Sequence, residues 1–120
     1  MEELLEFNRK ATGLSDDDEL YWFSRDETGA LVAGLYGWTW GGTCEIALFW
    51  VREDHRAQGI GSRMLEAVER KARERACHQM VLRTHSFQAP GFYARHGYEE
   101  VGVIEDYPRG HSDHFFSKTL

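Results

Sequence analysis

One change of period constrains this chain more than any other feature. From Cys44 to Val51 the residues are almost continuously apolar, whereas Ile60, Met64, Val68 and Ala72 recur every fourth position. The first pattern suits a central strand covered on both faces. The second has Leu65 beside the stripe and Glu66, Glu69, Arg70, Arg73 and Glu74 on the other side. It predicts an amphipathic helix over Gly59–Arg75. A buried strand feeding such a helix places the chain among mixed α/β folds.

The other segments fit around this pair. Leu4, Leu5 and Ala11, set among Glu2, Glu3, Glu6, Arg9 and Lys10, predict a short helix that Gly13 stops. Leu20–Phe23 is aromatic enough for a strand, after the acidic loop Ser15–Glu19. Asp26–Gly29 turns into Ala30–Trp40, a strand loosened by Gly34 and Gly37. Gly41 and Gly42 turn again into the central strand. Beyond the long helix, Gln79–Thr84 reads as a buried strand and Ala89–His96 as a short helix closed by Gly97. Tyr98–Glu105 and His114–Lys118 read as two closing strands. The whole is an α/β (α+β mixed-sheet) sandwich.

Composition narrows the setting. With 120 residues, 42% of them hydrophobic, the chain supports a single domain over 1–120. No apolar run approaches the roughly 20 residues of a membrane span. The acidic start lacks the basic residues of a secretory signal, and Cys44 and Cys77 are too few for a disulfide framework. A cytoplasmic location without membrane partners is therefore expected. Twenty acidic against 14 basic residues give a net charge of −6, which repels nucleic acid and suits cationic partners.

Chemistry enters between the central strand and the long helix, at Arg56-Ala-Gln-Gly-Ile-Gly-Ser62. Gly59 and Gly61 let backbone approach a ligand closely. The first N–H groups of a helix are unpaired and sit at the positive end of its dipole, so a pyrophosphate fits, with Arg56 and Ser62 as further donors. The Lys-Ser/Thr of the P-loop and the third glycine of the dinucleotide fingerprint are both missing. Alone, such a loop is equally a structural turn.

The stretch Arg56-x-x-Gly59-x-Gly61, between an apolar strand and an amphipathic helix, resembles the acetyl-CoA pyrophosphate loop of the GNAT superfamily of N-acetyltransferases. Phe87-Gln-Ala-Pro-Gly-Phe-Tyr-Ala-Arg-His-Gly-Tyr98 resembles the second motif of that family. Tyr107-Pro-Arg-Gly-His111 is similar to the tail of its small bacterial members. The likeness covers roughly residues 20–120. It implies the GNAT acyl-CoA N-acyltransferase fold, lacking the usual first strand because the chain opens in a helix. It further implies that Cys44–Val51 and Gln79–Thr84 splay apart, with the pantetheine arm pairing near Phe49 and Val51. The pyrophosphate would then lie on Arg56, Gln58, Gly59, Ile60, Gly61 and Ser62. Ser86 stands where the family often has an asparagine, and is the remaining cofactor contact the resemblance suggests.

Two side chains take catalytic roles by the same resemblance. Tyr93 falls at the general-acid position, although it is also flanked by Phe92 and Tyr98 in an aromatic cluster. Glu45, the one acid in its apolar strand, precedes Gly59 by fourteen residues, as does the catalytic glutamate of the histone-acetylating branch. It is either the base that takes the amine proton or a strand carboxylate that orients substrate. His85 is a strand-end residue beside the cleft, able to relay a proton or touch the amine. Tyr36, Trp38 and Trp40 share one face of a strand, as core or as an acceptor wall. His111 and His114 lack the further ligands of a metal site, so no metal is expected. Cys77 reads as a small buried filler.

These residues imply an N-acetyltransferase that moves an acetyl group from acetyl-CoA to a primary amine by direct attack, since no Ser-His or Cys-His pairing is visible. The alternative is an acyl-CoA-binding sensor without turnover. The acceptor is a small-molecule or peptide amine. With Leu20–Phe23 at an apolar sheet edge, a homodimer through that edge is expected.

Overall fold

The computed structural model describes residues 1–120. Its elements are α1 (Glu2–Thr12), β1 (Asp18–Arg25), β2 (Leu31–Trp40), β3 (Thr43–Val51), α2 (Ile60–Glu74), β4 (Gln79–His85), α3 (Pro90–Arg95), β5 (Glu99–Glu105) and β6 (Ser112–Thr119). The strands form one six-stranded sheet in the order β1-β2-β3-β4-β6-β5, so β1 is an edge strand. Only β3 and β4 run parallel; every other neighbouring pair is antiparallel. No helix is long and apolar enough to cross a membrane.

Local chemistry accounts for the turns. Gly13 ends α1 at φ 72°, its N–H donating to the Arg9 carbonyl at 2.8 Å. Asp26 organises the β1–β2 turn, one carboxylate oxygen accepting from Thr28 N (2.9 Å), Thr28 Oγ1 (2.6 Å) and Ala30 N (3.1 Å). These bonds to the charged form hold the Asp26 carboxyl down at about 2.

Both α2 and α3 cover the same face of the sheet. Met64, Leu65, Val68 and Ala72 of α2 join Leu35, Cys44, Ile46, Met80 and Leu82 in one core, to which α3 contributes Tyr93. Cys77 is buried beside them, as expected of a small filler. Glu69 departs from its place on the polar side of the helix: it is buried, accepting from Tyr98 Oη at 2.8 Å and Lys118 Nζ at 3.0 Å. A buried carboxylate survives because it is paired and hydrogen-bonded. Burial and this neighbouring carboxylate push the Tyr98 hydroxyl far above its ordinary pKa.

The uniform covering expected of Cys44–Val51 holds for half of β3 only. Cys44 and Ile46 are buried, but Leu48 is 67% and Trp50 45% exposed. The change coincides with an irregularity in the β2–β3 register: Gly37 pairs Ile46 and Tyr36 pairs Leu48, leaving Ala47 as an extra residue. Such a bulge bends its strand and disrupts pairing. Gly37 permits it, because a Cβ there would lie 2.1 Å from the Glu45 carbonyl oxygen. On β2, Tyr36 and Trp38 are half-buried and Trp40 is exposed, and none of the three joins the core cluster.

Candidate active site

Downstream of the bulge the sheet opens. Parallel pairing of β3 with β4 runs from Thr43–Gln79 to Ile46–Leu82 and stops. Past that point β3 stays bonded to β2, and β4 to β6, but the two no longer pair with each other. The opening is a cleft of about 870 Å³. Phe49 and Val51 line one wall, and Phe49 meets Phe92 and Tyr93 of α3 edge-on, with ring centroids 6.0 and 6.2 Å apart. Backbone groups freed from a ladder require other partners, so such a gap suits a ligand bearing amides.

The turn into α2 forms the mouth. Arg63 is the first residue in it whose N–H is bonded within the protein, to the Gly59 carbonyl at 3.0 Å; the amides from Gln58 to Ser62 have no protein acceptor. Consecutive free amides at a helix N-terminus receive anions. The two glycines differ in kind. Gly59 adopts φ 79°, a left-handed conformation that side chains disfavour, while a Cβ on Gly61 would make ordinary contact with Phe92 Cζ at 3.4 Å. The Nε of Arg56 donates to the Val51 carbonyl at 2.9 Å, folding the guanidinium across the end of β3. Ser62 Oγ and His96 Nε2 lie 2.9 Å apart, tying α2 to the end of α3.

Of the residues singled out from the sequence, the cleft brings together Phe49, Val51, Arg56, Gly59, Ile60, Gly61, Ser62 and Tyr93. Three stand outside its wall. Gln58 is exposed, with its carbonyl accepting from Arg63 at 3.2 Å. The Ser86 hydroxyl accepts the Ser112 N–H at 3.1 Å and so braces the loop after β4 against β6. Glu45 lies in the paired half of β3, between Trp38 and Val81. Tyr93 is 6% exposed, and burial pushes its hydroxyl up to about 12. It therefore stays protonated through neutral pH, as a proton donor must.

Two residues at the cleft wall or behind it, Arg83 and Asp113, carry no signal of their own in the sequence. Arg83 and Tyr107 line the cleft beside His85. Asp113, buried behind them, pairs across the β4–β6 ladder with His85. Only the strand register brings it there, 28 residues along the chain from its partner. His111 and His114 do not converge: His114 bonds Ser112 and Glu100, while His111 packs against Phe87. No cluster of three His, Cys, Asp or Glu side chains that could hold a metal ion is formed.

A parallel pair opened beyond its fourth rung, with a glycine turn of free amides at the mouth and Tyr93 in the wall, suits a long ligand that carries amides and phosphates. Comparison with known proteins agrees. Residues 1–98 match the model of the Acetyltransferase (GNAT) family, and the chain belongs to that family. It is 41% identical over 98 residues to blasticidin-S acetyltransferase of Streptomyces morookaense, covering 78% of this chain and 70% of that one. Acetyltransferase Atu2258 of Agrobacterium fabrum is 30% identical over 109 residues, covering 91% and 80%. A crystal structure of an acetyltransferase from Bacillus cereus superposes with a TM-score of 0.88 at 36% identity, over 99% of this chain and 87% of the other.

Proposed function

We propose that the protein transfers an acetyl group from acetyl-CoA to a primary amine of a small molecule by direct attack. The observation that carries this reading is the opening of β3 from β4 with Tyr93 in its wall. The pantetheine amides pair with β3 backbone beyond Ile46, near Phe49 and Val51. The pyrophosphate lies on the free amides of Gln58–Ser62, with the guanidinium of Arg56 as a charged donor. The amine nitrogen bonds to the thioester carbon, the carbon–sulfur bond breaks, and the departing thiolate takes the proton of the Tyr93 hydroxyl. Glu45, the candidate base from the sequence, lies in the paired half of β3 and is not among the residues that line the cleft.

The kinship with blasticidin-S acetyltransferase favours a soluble, amine-bearing antibiotic as acceptor, and the net charge of −6 favours a cationic one over nucleic acid. The reading includes a cytoplasmic location and a homodimer through β1, an edge strand on which Tyr21 and Phe23 are 66% and 56% exposed. Free-thiol release from acetyl-CoA, measured with blasticidin S and a panel of alkylamines, tests the transfer. Release with at least one amine is expected. Binding of acetyl-CoA with no release from any amine would leave a cofactor-binding sensor instead.

A further inference from the structure

Asp113 is wholly buried, and its Oδ1 is the one buried side-chain oxygen or nitrogen with no hydrogen-bond partner. The other oxygen, Oδ2, accepts from Arg83 through Nε at 2.8 Å and through Nη2. Oδ1 instead faces His85 Nδ1 at 3.6 Å. The same nitrogen lies 3.1 Å from the Tyr107 carbonyl oxygen. Both neighbours of Nδ1 are acceptors, and neither can donate. Nδ1 must therefore carry a proton, and in the neutral form of the ring that places the lone pair on Nε2.

The ring is also held in place. It stacks flat on Phe87, with centroids 5.5 Å apart and planes 2° apart, and Tyr107 meets it edge-on at 5.4 Å. All three residues line the cleft, with the His85 side chain 26% exposed. An alkylamine is mostly protonated at neutral pH; it must shed that proton to solvent before its nitrogen can attack, and the attacking neutral amine must shed another as the amide forms. A fixed imidazole with a free lone pair at the cleft wall, backed by a buried carboxylate, is built to accept one.

We propose that His85 is the general base of the acetyl transfer and that Asp113 is its positioning residue. The assignment rests on the transfer reading above and gives the amine-side proton a destination that Glu45 does not supply. As the carbon–nitrogen bond forms, the amine proton passes to His85 Nε2. The imidazolium then faces Asp113 Oδ1 and returns its proton to solvent, while Tyr93 recovers from solvent the proton it gave to the thiolate. No oxidant or further reactant is needed.

Nitrogen NMR of the imidazole in the full-length protein reads the tautomer without turnover. The Nδ1–H form is expected, and the Nε2–H form would overturn the assignment. In the thiol-release assay with acetyl-CoA and blasticidin S or the alkylamine panel, His85→Ala is expected to lower kcat about 100-fold. Its Kd for acetyl-CoA should stay within twofold, and added imidazole should restore part of the rate. Asp113→Asn should lower kcat with KM for acetyl-CoA unchanged and disturb the His85 tautomer. An active wild-type protein whose His85→Ala variant keeps its rate would overturn the base alone. A wild-type protein inert toward every amine would overturn the transfer reading, and the base with it.

Discussion

The two halves of β3 share one run of mostly apolar residues, Cys44–Val51, and have opposite surroundings. Thr43–Ile46 is bonded to a strand on each side, with Cys44 and Ile46 in the core; Ala47–Val51 is bonded to β2 only, and its other edge faces the cleft. The division falls at the bulge: Gly37, across the ladder, has no side chain to obstruct it, and the pairing with β4 stops at the residue before Ala47. Apolarity thus marks a strand as interior to the molecule without saying whether protein or ligand covers it.

The sharpest way to break this contrast is Gly37→Ala. Its Cβ would fall 2.1 Å from a backbone oxygen, so β2 and β3 must separate where the bulge forms. A loss of about 2–3 kcal/mol in urea unfolding is expected, together with a raised KM for acetyl-CoA. Wild-type stability would show that the bulge does not depend on this close approach. Tyr93→Phe leaves both halves of β3 intact and removes only the proton donor. It should lower kcat about 100-fold in the thiol-release assay while the Kd for acetyl-CoA changes little.

The mouth of the cleft offers a finer comparison. Gly59→Ala forces a side chain into the left-handed region and is expected to cost about 1 kcal/mol of stability and weaken acetyl-CoA severalfold in calorimetry. Gly61→Ala, with room for its methyl against Phe92, should change neither measurably. Equal effects at the two positions would contradict the distinction. The smallest expected effect is one of pH. Because burial raises Tyr93 to about 12, its hydroxyl remains a donor as pH climbs, and kcat should show no alkaline fall assignable to it up to about pH 10. A fall near neutrality that disappears in Tyr93→Phe would show the hydroxyl to be far more acidic.

Much of this fold is legible from local chemistry. Helix periods, the aromatic strands and the turns at Asp26–Gly29 and Gly41–Gly42 lie within short windows where spacing and turn residues decide the outcome. The glycine turn at Gly59 and the position of Tyr93 are legible for the same reason, each belonging to a compact motif. What escapes depends on distant partners. Glu69 is buried because Tyr98 and Lys118, 29 and 49 residues further on, meet it there. The bulge needs the register of two strands, and the pairing of His85 with Asp113 needs β6 to be laid beside β4. Glu45 shows the converse: its distance from Gly59 along the chain is suggestive, yet the bulge falls between it and the cleft.

Amide hydrogen exchange with and without acetyl-CoA tests the central claim most directly, because it reads both halves of β3 at once. The cofactor should slow exchange in Ala47–Val51, at amides not already bonded to β2, and in Gln58–Ser62, while leaving Thr43–Ile46 unchanged. Saturating acetyl-CoA that leaves Ala47–Val51 as exposed to exchange as before, or that protects the two halves alike, would contradict the placement of the cofactor in the opening between β3 and β4.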